Sequence, residues 1–122
     1  MKLAQARQHA MSLPEVTEQP HFTYSSFRVR GKIFVTVPPE GTHLHLFVNE
    51  AQRELALAMD RDCVEPLTWG AKVVGLRLEL AAAKPAVVKQ LIAQAWTAKA
   101  PRALLVNATS SLQRQVSISA RK

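Results

Sequence analysis

The side chains best suited to chemistry in this sequence are two histidines and one cysteine. His43 and His45 stand two apart in the alternating segment HLHLFV, so both point to the same side of a strand and could share a metal ion. No Cys, Asp or third His stands at a supporting spacing, and alternation with leucine also explains the pair as a strand's polar face. Cys63 follows two acids, Asp60 and Asp62, with no histidine beside it to favour the thiolate. These patterns predict no catalytic residue, no metal site and no bound cofactor.

Cationic side chains stand at two segments that resemble hairpin turns. Gly31 interrupts one apolar run, with Gly31–Lys32 considered as its two-residue turn, and Gly70 interrupts another. Trp69 precedes the second turn, either as a core residue or as an aromatic contact beside the cations. Basic hairpins can lie along a nucleic acid and contact its phosphates. The residues predicted to do so are Arg28, Arg30, Lys32, Lys72 and Arg77. The alternative is that they are ordinary surface cations, which proteins place on strands to discourage aggregation.

The positive charge of the chain is concentrated near its C-terminus. The formal net charge is +7 over 122 residues. Residues 1–80 carry nine basic and nine acidic side chains, whereas residues 81–122 carry seven basic side chains and no acid. Such a segment attracts a polyanion such as nucleic acid, or it keeps a solvated tail soluble.

Cysteine usage and hydropathy predict a cytoplasmic protein. A single cysteine cannot form an intramolecular disulfide, which is typical of a reducing compartment. The N-terminal segment MKLAQARQHAM lacks the apolar core of a signal peptide. No window approaches the roughly 18 apolar residues that a membrane span needs, so we expect no membrane partner.

Three helices and five strands are predicted around these residues. Helices are expected over residues 2–12, 49–59 and 84–99. The second is capped by Asn49 and expected to bury Ala51, Leu55, Ala58 and Met59. The third is expected to bury an apolar stripe of Val87, Val88, Leu91, Ile92, Ala95 and Trp96. Residues 13–20 are interpreted as a polar connection, followed by three strands over residues 21–48 and two more over residues 64–69 and 73–80. The order α-β-β-β-α-β-β-α predicts an α+β fold, a two-layer α/β domain with one five-stranded antiparallel sheet.

Several motifs together resemble the MmcQ/YjbR family. They are the segments SLPEVTEQPHF and SFRVRGKIFVTV, a Trp-Gly pair followed by the strand LRLEL, and the terminal QAWTAKAPRAL. The resemblance covers residues 3–105. It implies a two-layer α/β domain similar to secretion chaperones and frataxin-like proteins, with no established catalytic residues. It also implies a proposed double-wing role in binding DNA, with the wings at the two basic hairpins.

These observations lead to three hypotheses for residues 1–106, which are expected to form the domain, with residues 107–122 as a basic, Ser-rich tail. The first is a non-catalytic module that binds double-stranded DNA through the hairpin cations, assisted by the basic C-terminus. The second is an adaptor for a small ligand or a protein, in which the sheet's open face and either Phe22 or Trp69 line a cleft. The third is an enzyme of unrecognised chemistry, which would need His21, His43 or His45 to meet an Asp or Glu side chain in a cleft. The oligomeric state is not predicted.

Overall fold

The computed structural model describes residues 1–105, which form three long helices and one sheet. The strands are β1 (Val16–His21), β2 (Tyr24–Val29), β3 (Lys32–Val37), β4 (His43–Leu46), β5 (Val64–Trp69) and β6 (Lys72–Glu79). The helices are α1 (Leu3–Ser12), α2 (Glu50–Met59) and α3 (Pro85–Lys99). All the strand pairs are antiparallel, and the strand order across the sheet is β1-β2-β3-β4-β6-β5. The predicted α+β class is confirmed, with six strands instead of five.

The additional strand, β1, lies in the segment predicted to be a polar connection. Its sequence, VTEQPH, has no buried residue, because it is an edge strand that pairs only with β2. Pro20 is compatible with this position, since an edge strand has one side whose N–H groups need no partner in the sheet. Sequence pattern could not reveal β1, because alternation of apolar and polar residues appears only where one face of a strand is buried.

The hairpin between β2 and β3 turns at Arg30 and Gly31, one residue earlier than the Gly31–Lys32 turn considered from the sequence. Both residues have positive φ, 47° and 82°, as a two-residue turn matching the sheet twist requires. The register then shifts between Phe27 and Arg28. Because of this irregularity, the adjacent residues Phe34 and Val35 are both buried. Strand β3 is therefore central, as its apolar sequence predicted.

Helix α2 forms where it was predicted but buries a different face. Asn49 caps it, its side chain accepting a hydrogen bond from the Gln52 amide at 2.9 Å. The predicted buried set of Ala51, Leu55, Ala58 and Met59 is wrong: all four are exposed, Leu55 by 52% and Met59 by 74%. Ala56 is the one residue of this helix that is fully buried. The helix rests on the edge strand β5, with Leu57 partly buried against the core and Leu55 and Met59 facing outward.

Helix α3 supplies the main cover of the sheet, with the apolar stripe that its sequence predicted. Its buried residues, Val88, Leu91, Ile92, Ala95 and Trp96, join the core formed by the inward side chains of the strands. Trp96 Nε1 also donates a hydrogen bond to the Pro14 carbonyl at 3.1 Å, which ties α3 to the start of β1. In the part of the chain described, no helix is long and apolar enough to cross a membrane.

Candidate functional site

The face of the sheet turned away from the core carries a continuous polar row. One residue from each strand is the direct cross-strand partner of the next: Gln19, Ser26, Thr36, His45, Arg77 and Glu65. The adjacent row points to the opposite face, because side chains alternate along a strand. That row is mostly apolar: Glu18, Phe27, Val35, Leu46, Leu76 and Pro66. We call the polar side of the sheet the open face.

The centre of the open face is polar although it is buried. Ser26 and Thr36 are the two buried polar residues of residues 1–105. Ser26 Oγ donates a hydrogen bond to the Gln19 carbonyl at 2.8 Å and accepts one from Arg28 Nε at 3.0 Å. A hydrogen-bonded hydroxyl can be buried without the cost of an unpaired polar group. The polar row is thus a fixed part of the sheet.

A cleft of about 510 Å³ lies against this face. Its lining residues are His21, Phe22, Thr23, Tyr24, Ile33, Thr36, His45, Phe47, Trp69, Val74 and Lys99. They come from the β1–β2 turn, from all six strands or their ends, and from the last turn of α3. The volume falls within the range of about 300–1,000 Å³ that is typical of small-molecule sites. We call this the open-face cleft.

Phe22 lines the open-face cleft and has an unusual backbone conformation. It lies in the two-residue turn between β1 and β2 with φ at 56°, a left-handed region that bulky residues rarely adopt. Its ring is 93% exposed and contacts the His21 ring edge-on, with centroids 4.9 Å apart. Neither backbone preference nor core packing explains an aromatic residue at this position.

Trp69 lines the same cleft from the end of β5. Its ring is 65% exposed, and its centroid lies 6.0 Å from that of Phe47 in a tilted arrangement. A second tilted pair, Tyr24 and His45, has centroids 5.9 Å apart. The cleft is therefore rich in aromatic rings that are not enclosed by the core, and such rings can stack on a planar ligand.

His45 is a half-buried polar group on the floor of the cleft. Burial first, and then the charges of Arg77 and His43, lower the pKa of its imidazole below the ordinary value of 6.5, which keeps the ring neutral at neutral pH. Its Nε2 atom is buried and has no hydrogen-bond partner within residues 1–105. A neutral imidazole can donate or accept at this atom, depending on the tautomer.

Three of the five predicted DNA-contacting residues have hydrogen-bond partners within the protein. Arg30 forms a bidentate ion pair with Glu15, at 3.1 and 3.0 Å, and Arg77 pairs with Glu65 at 3.0 Å. Arg28 donates to Ser26 Oγ and, at 3.4 Å, to the carbonyl of Pro20, the residue before His21.

The two lysines of the predicted set are placed differently. Lys32 and Lys72 are exposed and form no ion pair with any residue in the described region. They begin β3 and β6, which both pair antiparallel with β4 and therefore run in the same direction. The two lysines thus lie at the same end of the sheet.

Phe22 and Trp69, predicted as alternative cleft residues, contribute to one cleft. That they bind a ligand remains a prediction. Sequence reasoning missed Tyr24, Phe47 and Lys99 as cleft residues, because they come together only through the sheet order and the packing of α3. His21 and His45, which the enzyme hypothesis placed in a cleft, both line it, but no aspartate or glutamate lines it with them. The alternation of His43 with His45 correctly placed both on one side of β4, which is the side of the open face.

The remaining candidates for chemistry have no reactive setting. Burial first, then the carboxylates of Asp60, Asp62 and Glu79, raise the pKa of the Cys63 thiol above its ordinary value. The thiol therefore stays protonated at neutral pH, and it donates to the Asp60 carbonyl at 3.4 Å. Nε2 of His43 lies 3.8 Å from Oε2 of Glu79. Across residues 1–105, no group of three or more His, Cys, Asp or Glu side chains is arranged to hold a metal ion.

Comparison with protein families identifies the family of the chain. The sequence profile of the YjbR family matches residues 11–98, well over half of the chain. The chain belongs to the YjbR family. The match begins near the end of α1 and extends almost to the end of α3, so all six strands of this YjbR protein lie within it. Comparison with curated proteins and with solved structures finds no match.

Proposed function

We propose that this YjbR-family protein is a non-catalytic binding domain that holds a small ligand in the open-face cleft. The observation that carries the proposal is that Phe22 and Trp69, both largely exposed, line one cleft with a polar floor. An exposed aromatic side chain lacks the stabilisation that burial would give, of the order of 25 cal/mol per Å² of apolar surface. A ligand that covers these rings recovers this free energy. A cytoplasmic location is part of the proposal.

Thr36 and His45 support a specific ligand over a general apolar contact. Both lie on the polar row of the sheet and also line the cleft. Ligand sites are typically apolar concavities with a few polar groups that orient the bound molecule. The open-face cleft has this arrangement, with aromatic rings at its rim and hydrogen-bonding groups on its floor.

A neutral fluorescent probe tests the proposal. N-phenyl-1-naphthylamine fluoresces when its rings enter an apolar site, so we expect saturable binding to the full-length protein. Removal of an aromatic side chain from such a site costs roughly 1–3 kcal/mol, so Trp69→Ala should weaken binding about tenfold or more. Leu55→Ala is the matched control, because it removes a comparably exposed apolar side chain from α2, outside the cleft. Equal weakening by both substitutions would reject the cleft as the site.

Binding of double-stranded DNA is the second candidate, and the positions of Lys32 and Lys72 favour it. Their ammonium groups are free of carboxylate partners within residues 1–105 and lie at one end of the sheet, next to the two hairpin turns of the proposed double wing. In this candidate the lysines contact phosphates, Arg28 and the ion-paired Arg30 and Arg77 contribute less, and the basic segment beyond residue 106 adds general attraction. Residues 107–122, predicted to form a separate tail, lie outside the described part of the chain.

Titration of duplex DNA at about 50 and 200 mM salt tests this candidate, because each phosphate contact contributes about 0.9 to the slope of log K against log salt. The double substitution K32A/K72A should reduce that slope by about 1.8. Deletion of residues 107–122 measures the contribution of the C-terminal segment separately. If the slope changed only with the deletion, the C-terminal segment would be the DNA-binding part, and the hairpins would not contribute.

A further inference from the structure

The charge around the open-face cleft is of one sign. Lys99 is the one lining residue with a full charge at neutral pH, and no aspartate or glutamate lines the cleft. Lys99 is half-buried and forms no ion pair with the described residues. The arginines nearest on the sheet, Arg28 and Arg77, are already engaged by Ser26 and Glu65. Lys99 is therefore a cation available to a bound molecule.

We propose that the ligand of the open-face cleft is a small aromatic acid, with its ring against the exposed aromatic side chains and its anionic group at Lys99. The inference rests on the proposed function, which it narrows from a ligand to a chemical class. The aromatic part is required by Phe22 and Trp69, which offer ring faces that no core residue covers. The acidic part is required by a lysine in a cleft without a carboxylate.

His45 belongs to the polar floor of the cleft but does not reach the acid through Nε2. It lines the cleft and pairs across the sheet with Thr36. Its Nε2 atom is screened from solvent, so a ligand oxygen cannot contact that atom. Lys99 is therefore the partner of the anionic group.

A cation and a neutral ligand fit the same surroundings less well. Aromatic faces attract cations, but here a cation would meet the ammonium group of Lys99 and no compensating carboxylate. A neutral aromatic molecule would use the rings and leave Lys99 without a partner. Charge complementarity therefore selects an anion.

Two probes with nearly the same ring system separate the parts of this argument. 1-Anilinonaphthalene-8-sulfonate is anionic, and N-phenyl-1-naphthylamine is its neutral counterpart. For the full-length protein we expect the anionic probe to bind about tenfold more tightly, the ratio for one charge-assisted hydrogen bond in a partly exposed site. Lys99→Gln should abolish this preference, and Lys99→Arg should retain it.

Lys89→Gln is the matched control, because it removes the same charge from the same helix at a position that does not line the cleft. We expect it to leave the ratio of the two affinities unchanged. Equal affinity of the wild-type protein for both probes, or equal losses in Lys99→Gln and Lys89→Gln, would overturn the inference about the acid while leaving the cleft intact. Failure of the neutral probe to bind, or indifference of both probes to Trp69→Ala, would instead overturn the proposed function.

Discussion

Arg30 and Glu15 form a two-point ion pair that joins the β2–β3 turn to the residue before β1. Arg30 Nε and Nη2 donate to the two oxygens of the Glu15 carboxylate at 3.1 and 3.0 Å. The hydrogen bond from Arg30 lowers the pKa of Glu15, and both residues have positive φ, 47° and 56°. Arg30, a cation of the β2–β3 hairpin, is thus already paired with a carboxylate of its own chain.

This pairing predicts an unequal response to charge substitutions in DNA binding. Arg30→Ala should change the salt slope little, because the same carboxylate already neutralises the guanidinium, whereas Lys32→Ala should lower it by about 0.9. Glu15→Gln should release Arg30 and increase the slope by up to about 0.9. Fluorescence anisotropy with a short duplex at several salt concentrations measures all three. A larger loss with Arg30→Ala than with Lys32→Ala would show that the ion pair opens in the complex.

Surface substitutions on α2 should hardly affect stability. Leu55 and Met59 are exposed by 52% and 74%, so Leu55→Gln and Met59→Gln should change the free energy of unfolding by less than about 0.5 kcal/mol each. Ala56 is buried, and Ala56→Asp should cost several kcal/mol, of the order of 2 or more, because it buries a charge. Urea denaturation followed by circular dichroism checks both. Substantial destabilisation by the glutamines would mean that this face packs against another part of the protein.

The contrast between α2 and α3 shows what the sequence can predict about this fold. In both helices the apolar residues recur at helical spacing, which predicts a helix and an apolar stripe. Only in α3 does that stripe face the core, because α3 crosses the central strands. Helix α2 lies beside the edge strand β5, and nothing in its sequence reports how much sheet is available to cover it.

The candidate site shows a similar limit. Trp69 and Phe22 could be proposed from the sequence as cleft residues, but Tyr24, His45 and Lys99 belong to three distant segments. Two facts bring them together: β4 lies between β3 and β6, and α3 ends beside the cleft. Strand β1 escaped prediction because an edge strand with two exposed faces has no hydrophobic alternation. Non-local strand order is not encoded in any single segment.

Acidification should destabilise the fold through His45. The pKa of His45 is lowered in the folded state, chiefly by burial, so the unfolded chain binds this proton more tightly. Stability is therefore full above the ordinary pKa of 6.5 and falls as the pH decreases toward the lower folded value. The free energy of unfolding should decrease between about pH 7.5 and 5.5, and less steeply in His45→Gln.

His9 is the control for this pH dependence. Burial also lowers its pKa, and it lies on α1, outside the cleft. His9→Gln should remove a separate part of the decrease, and the double substitution should remove both parts. Urea titrations of the four proteins at each pH measure these contributions. A His45→Gln curve parallel to that of the wild type would contradict the assignment to His45.

Gly75 links the stability of the sheet to the cleft. A Cβ atom added at this position would lie 2.5 Å from the Leu46 carbonyl oxygen and 3.4 Å from Cδ1 of the Phe47 ring. Gly75→Ala should therefore destabilise the protein by about 1–3 kcal/mol, the usual cost of overpacking a close contact. It should also weaken binding of N-phenyl-1-naphthylamine, because the backbone shift needed at Leu46 moves the next residue, Phe47, whose ring lines the cleft.

Gly31→Ala separates these two effects. An added Cβ meets nothing within 4 Å there, and the cost, about 1–2 kcal/mol, comes only from the left-handed backbone. We expect Gly31→Ala to be destabilised without any change in probe affinity under conditions where both variants are folded. If Gly75→Ala bound the probe as tightly as Gly31→Ala does, the contact between Gly75 and Phe47 would have no part in shaping the cleft.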